Sequence, residues 1–466
     1  MRVRELVSKI NLPARASMGY LGASLVGKVI GLLTTPFFTR LISEEAYGTI
    51  TLYMTVLGGA SVICSSFSSG SPIYLGLSRF EDKADGFLKS AIRVSLSFSM
   101  LICLLLFAFW RYIGLERRFL LPLVLQILCD TVVGVSLSRA RYKYRWGEVL
   151  VVGILSSAIP SILAVLILGW FGSGFGVRIY LMLGFSLAIS LFYLIKIHLK
   201  SGNADGIMSK YMLRSALPLL PHSISVALCG QADKFFVTRI MGAASLAKYA
   251  VVHSLGIALQ FAVTSLGAAL GPWVIRRLDS GEKKRIRPVT SLLFAIFCAL
   301  TLGLCSIAPE AMALLAPEKY LEALPALFPI AISTPLTLIS YVTTVSLVHR
   351  GLGKYTAIIS GVNLFFCVTL NFALISRFGY LGAGLALLIS QLISTALGVV
   401  FLCAAGISEI IAPMRICGYF GFTILLGLAT NLFYGQATLR LILIIIPALW
   451  GAIQLFKGKD LVVEAK

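Results

Sequence analysis

Asp233 and Lys234 stand side by side in LCGQADKFFVTRIMG, residues 228–242, a stretch whose other positions are mostly apolar or small. Lys28 and Asp130 are likewise isolated charges deep inside apolar stretches. His222 and His253 lie on either side of the Asp233 pair, and Arg40 and Arg239 follow at the ends of two such stretches. These residue types support two kinds of chemistry. Lysine and arginine compensate an anion, lysine as a point charge and arginine as a planar fork. Aspartate and histidine take up and release a proton as their surroundings change. There is no phosphate-binding loop, no HExxH zinc site and no GxSxG nucleophile turn, so neither a catalytic set nor a metal site is expected. The nine cysteines contain no CxxC pair, which argues against a disulfide framework.

Spacing indicates which way these charges point. Residues 3, 4, 7 and 11 apart share a helix face. Asp233 then shares a face with Cys229, Ser225 and His222, and Lys234 with Gly230, Ala227 and Ser223. Lys28 lies with Ser24, Gly31, Thr35 and Thr39; Asp130 lies with Gln126, Gly134 and Ser138. Two further small-and-polar stripes run His253, Gly256, Gln260, Thr264, Gly267, Gly271 and Thr356, Ser360, Asn363, Cys367, Asn371. Such faces turn toward protein or water, since an ionised side chain at mid-membrane costs about 2.5–3.5 kcal/mol. They also serve close helix packing. Asp233 and Lys234 can equally form a fixed ion pair, the histidines can be hydrogen-bonded interior residues, and the arginines can simply reach for the membrane surface.

The elements that position these residues are membrane spans. Of 466 residues 58% are hydrophobic and 13% charged, with mean hydropathy +0.93; soluble domains carry about 25% charged residues. Apolar blocks near the ~20 residues that cross a bilayer recur at 19–39, 48–76, 90–113, 119–138, 148–171, 177–197 and 213–240. They continue at 246–275, 289–308, 325–348, 355–376, 381–403, 414–434 and 438–456. An all-α polytopic membrane protein of about fourteen helices is predicted. The basic N-terminus runs into a full-length span, which reads as a retained first helix and not a signal peptide.

The net charge of +21 is distributed unevenly. With a cytoplasmic N-terminus, 28 of the 40 lysines and arginines fall on the cytoplasmic side, 10 on the opposite side, and Lys28 and Lys234 within spans. This positive-inside bias places both termini in the cytoplasm. It makes anionic lipids, not nucleic acid, the partner of the basic charge.

The chain also repeats. TRLISEEAYG (39–48) corresponds to TRIMGAASLAKYA (238–250), YKYRWGEVLVVG to LGKYTAIISG, and SGFGVRIYLMLGFSLAIS to SRFGYLGAGLALLIS. All three matches share a shift of six spans, which preserves orientation and predicts parallel repeats. The expected organisation is a six-helix bundle over 1–200, a second over 208–405, and two accessory helices with a cytoplasmic tail over 406–466. The RLI…EEAYG junction, the LPLLPH…DK segment of the seventh span and the FGYLGAGLA start of the twelfth resemble the bacterial polysaccharide-export family. That family belongs to the multidrug/oligosaccharidyl-lipid/polysaccharide (MOP) exporter superfamily, and the likeness covers about 15–405.

The resemblance implies two bundles around a central cavity, and a flippase that passes an undecaprenyl-diphosphate-linked oligosaccharide, O-antigen or a related unit, across the bacterial inner membrane. Cations would then compensate the diphosphate, and Lys28, Arg40, Lys234 and Arg239 are the expected substrate-binding residues. Asp130, Asp233, His222 and His253 are the candidates for coupling to a proton or sodium gradient, with no bound cofactor. Pro218 and Pro221 would let the seventh helix bend. A polysaccharide polymerase and a chain-length regulator are the protein partners such a flippase would have. The alternatives are a multidrug or small-molecule exporter of the same superfamily, whose cavities are more often acidic, and a membrane glycosyl polymerase or ligase, which needs a larger outward loop.

Overall fold

The structure is a computed structural model that describes residues 12–172, 174–199 and 202–432, together with Gln436, Ile445 and Trp450. Every regular element among the described residues is helical. This follows from the solvent: lipid offers backbone N–H and C=O groups no partner, so each segment must satisfy its own. Among the described residues ten helices are long and apolar enough to cross a bilayer, and the pair Ala243–Gly256 and Gln260–Gly267, bent by 47°, is a further candidate.

The helices follow the predicted spans in order. The first span lies on Leu12–Leu41 and the second on Glu44–Arg79. The third to sixth lie on Glu81–Ala108, Arg117–Tyr142, Trp146–Phe171 and Val177–His198. The seventh lies on Gly206–Met241, the eighth on the bent pair, the ninth on Lys283–Ser306 and the tenth on Glu318–His349. The eleventh and twelfth share one 52-residue element, Gly353–Ala404, interrupted at Gly379, whose φ of 56° and ψ of −128° are not helical. Glycine meets that conformation without a Cβ penalty. The return is so tight that a Cβ on Gly382 would collide with the Leu374 carbonyl oxygen. The thirteenth span lies on Pro413–Leu432. The predicted fourteenth, 438–456, lies outside the described residues apart from Ile445 and Trp450.

The chain divides into two compact units, residues 1–231 and 232–466. Lipid removes most of the hydrophobic drive between helices, leaving close packing and polar contacts to hold them. In the first unit Ser99 and Thr131 hydrogen-bond at 2.7 Å between the third and fourth spans. The Ser95 hydroxyl donates to the Phe67 carbonyl at 2.8 Å. In the second unit the tenth span is the central helix, with 83% of its apolar window buried. Its sequence LFPIAISTPLTLISYVTTVSLVH is apolar or small on every face, as a fully enclosed helix requires. Ser340 on this helix meets Thr395 at 2.7 Å and receives the Gln391 amide at 3.1 Å, joining the tenth and twelfth spans.

The seventh span breaks as its prolines predict. Helix Gly206–Ala216 gives way to a 3-10 turn at Leu217–Leu219 before Leu220–Met241 begins. A second irregularity was not expected: a π-helical segment at Ile154–Ala158 interrupts the fifth span just before Pro160.

Candidate functional site: two intramembrane carboxylates

In the second unit, Asp233 projects from the helix Leu220–Met241. The chain turns at Gly242, at φ 92°, and returns as Ala243–Gly256. Tyr249 and His253 lie one helical turn apart on this returning helix and both reach the carboxylate. The Tyr249 hydroxyl donates to Asp233 Oδ2 at 2.7 Å, and His253 Nε2 lies 3.3 Å from the same oxygen. The two rings touch each other, with centroids 5.7 Å apart. All three side chains are withdrawn from solvent: Tyr249 is 0%, Asp233 3% and His253 7% exposed. Phenol, carboxylate and imidazole thus form one buried polar set within the second unit. Lys234, the next residue, is half-buried.

In the first unit, Asp130 sits midway along the fourth span. Gln126, one turn earlier, donates its amide to Asp130 Oδ1 at 3.1 Å and to the Ser186 hydroxyl of the sixth span at 2.6 Å. Ser61 of the second span completes the set, its hydroxyl 3.5 Å from Asp130 Oδ2. The carboxylate and its neutral partners thus bring together three spans. Among the described residues no lysine or arginine pairs with it.

Arg40 and Arg239 are each exposed and in the last turn of a helix, where positive charge complements the helix dipole. An Arg40 N–H donates to the Pro36 carbonyl at 3.1 Å. His222 is exposed at the start of Leu220–Met241, away from the buried Asp233 set. The side chain of Lys28 lies outside the described residues, although its helix is described.

Of the sequence candidates, then, Asp233 and His253 share one cluster and Asp130 anchors another. Of the small-and-polar stripes, the eighth-span stripe is used for packing. A Cβ on Gly256 would lie 2.7 Å from Ile330, and one on Gly271 would lie 2.7 Å from the Tyr341 hydroxyl. Tyr341 uses that hydroxyl to donate to the Gly267 carbonyl at 2.7 Å. Sequence reasoning passed over Tyr249, Ser61 and Ser186. Tyr249 carried one signal, its four-residue spacing from His253; the serines carried none. It also counted Arg178 only as a charge at a span end. Its guanidinium stacks 4.4 Å from the centre of the buried Phe38 ring, and its Nε is buried without a partner among the described residues.

Comparison with known proteins gives concordant results. The sequence model of the family described as polysaccharide biosynthesis protein matches residues 15–277. The chain is 22% identical over 280 residues to Lsg locus putative protein 1 of Haemophilus influenzae, covering 58% of this chain and 67% of that one. Its fold is similar to that of the lipid II flippase MurJ in an inward closed conformation. The TM-score is 0.69 at 16% identity, over 94% of this chain and 98% of MurJ. An inward-facing multidrug resistance MATE transporter of the MOP superfamily follows, with a TM-score of 0.59 at 14% identity, over 83% and 96% of the two chains. A MOP superfamily transporter from Pyrococcus furiosus, described as having a binding pocket of reversed polarity, scores 0.57 at 17% identity over 86% and 96%.

Proposed function

The chain belongs to the polysaccharide biosynthesis protein family, and on that premise we propose that it is a flippase for an undecaprenyl-diphosphate-linked oligosaccharide. Family membership over 15–277 is the observation that carries the reading, and the full-length likeness to a lipid II flippase supports it. The substrate would be an O-antigen or related surface polysaccharide unit, carried from the cytoplasmic to the outer leaflet of the bacterial inner membrane. Its polyprenyl tail stays in lipid, while its sugars and diphosphate need a polar, cation-bearing route. Lys28, Arg40, Lys234 and Arg239 supply that positive charge. Asp130 and the Asp233–His253 pair serve as proton sites that couple the cycle to a gradient, with no catalytic step on the substrate.

The deciding experiment deletes the chain in its host and follows the lipid-linked oligosaccharide. A flippase predicts loss of surface polysaccharide and accumulation of the undecaprenyl-linked unit on the cytoplasmic leaflet, both reversed by the gene in trans. Normal surface polysaccharide together with heightened sensitivity to cationic drugs would instead establish the multidrug-exporter reading. Accumulation of single units on the outer leaflet would indicate a polymerase.

A further inference from the structure

Where the fourth span ends, the fifth begins and the sixth ends, the first unit carries a recess of about 70 Å³. Arg139, Lys143, Arg145, Glu148, Tyr193 and Lys196 line it. A water needs about 10–15 Å³ of such space, so the recess has room for a phosphate-sized anion with its hydration. The charges around it do not balance. Arg139 is held by Asp85 at 2.8 Å. Glu148 is shared between Lys196 at 3.5 Å and Arg145 at 3.9 Å, and also accepts from the Tyr193 hydroxyl at 2.9 Å. Lys143 faces no carboxylate among the described residues. Four cations thus meet two carboxylates, leaving two positive charges uncompensated.

The turn that presents Lys143 and Arg145 is held firmly. The Lys143, Tyr144 and Arg145 amides donate back to the carbonyls of Arg139, Arg141 and Ala140 at 3.1, 3.0 and 2.8 Å. Tyr144 between them adopts φ 54°, the single non-glycine residue at positive φ among the described residues. A bulky residue in that region is strained and persists where its surroundings impose it. Tyr142, Tyr144 and Trp146 around the same turn are all exposed. Such aromatic residues concentrate at the level of lipid headgroups, and basic pockets between span ends at that level take anionic headgroups.

We propose that this recess is a phosphate-binding site for the headgroup of an anionic phospholipid. The phosphodiester enters between Lys143 and Arg145, with Lys196 and Arg139 behind it, while the aromatic side chains of the turn lie against the acyl–glycerol boundary. The site tethers the junction of the fourth and fifth spans to the membrane surface, and its occupation does not depend on whether the chain is a flippase.

The test uses the purified full-length chain in a neutral detergent. Binding of dioctanoyl-phosphatidylglycerol, dioctanoyl-phosphatidylcholine and inorganic pyrophosphate is titrated in parallel. The expected result is phosphatidylglycerol binding at least about tenfold tighter than phosphatidylcholine binding. The K143E/R145E variant should lose at least about tenfold of it, with an unchanged elution profile. A K283E/K284E variant, with the same charge change in a different basic loop, should retain it. Pyrophosphate binding of equal strength that is lost in the same variant assigns the site to soluble phosphates instead. Equal loss in both charge-reversed variants would show only the general field of a basic surface and overturn the proposal, as would undiminished binding in K143E/R145E. Should the double variant fail to fold, Lys143→Gln alone, an exposed change, must weaken lipid binding severalfold, and no weakening overturns the proposal.

Discussion

The Tyr249 hydroxyl lies 2.7 Å from the Asp233 carboxylate, and both side chains are buried. A hydrogen bond to a charged group contributes about 1.5–3 kcal/mol, and removing its donor leaves the acceptor short. Tyr249→Phe should therefore lower the thermal midpoint of the detergent-solubilised protein by a few degrees and reduce transport. Asp233→Asn in the Tyr249→Phe background should add less than it does alone, because the two share one bond. Fully additive losses in a thermal-shift double-mutant cycle would deny the coupling.

Asp130 is met by Gln126 and Ser61 and by no cation among the described residues, whereas Asp233 is met by Tyr249 and His253. If these carboxylates carry the coupling proton, transport in inside-out vesicles should depend on an imposed pH gradient. Asp130→Asn and Asp233→Asn should each abolish that dependence. Gradient dependence that survives in both variants would remove them as carriers.

Lys234 next to Asp233 separates a substrate role from a scaffold role. Lys234→Ala should abolish surface polysaccharide while leaving membrane abundance normal, and Lys28→Ala should do the same. Replacement by arginine should keep part of the activity, since charge is retained while geometry changes. If Lys234→Ala protein is instead lost from the membrane, and Asp233→Ala restores both abundance and transport, Lys234 is scaffold.

The contact of the bent eighth span with Tyr341 can be tested sterically. A Cβ on Gly271 would stand 2.7 Å from the Tyr341 hydroxyl, with the next ring atom 3.6 Å away. Gly271→Ala should destabilise by about 1–3 kcal/mol, the usual cost of overpacking. Tyr341→Phe, which removes the offending oxygen, should absorb most of that cost. Equal losses from Gly271→Ala in both backgrounds, measured by thermal shift, would contradict this packing.

The positive-inside bias predicts that residues 140–146, 278–286 and 350–354 are cytoplasmic. In a cysteine-free background, single cysteines introduced there should resist an impermeant maleimide added to intact cells and react after permeabilisation. Reaction at position 280 in intact cells would reverse the orientation.

The spans were legible in the residues alone because lipid imposes a length and forbids unsatisfied backbone, and thirteen of the predicted stretches coincide with helices on that account. The break at Leu217–Leu219 was equally legible, since Pro218 lacks a donor wherever it falls. The Gln126–Asp130 bond was readable from a four-residue spacing within one helix. The partners contributed by other helices were not. Ser61, Ser186 and Tyr249 reach their partners only through the depth and rotation of neighbouring spans, which depend on side-chain packing and have no local periodic signature. The same holds for the glycines of the eighth span: 256, 267 and 271 share a face with His253 by spacing, yet tertiary structure alone puts Ile330 and Tyr341 against them. Hydrophobic length determines that a helix crosses the membrane; which of its faces meets which neighbour is set by contacts between residues far apart in the chain.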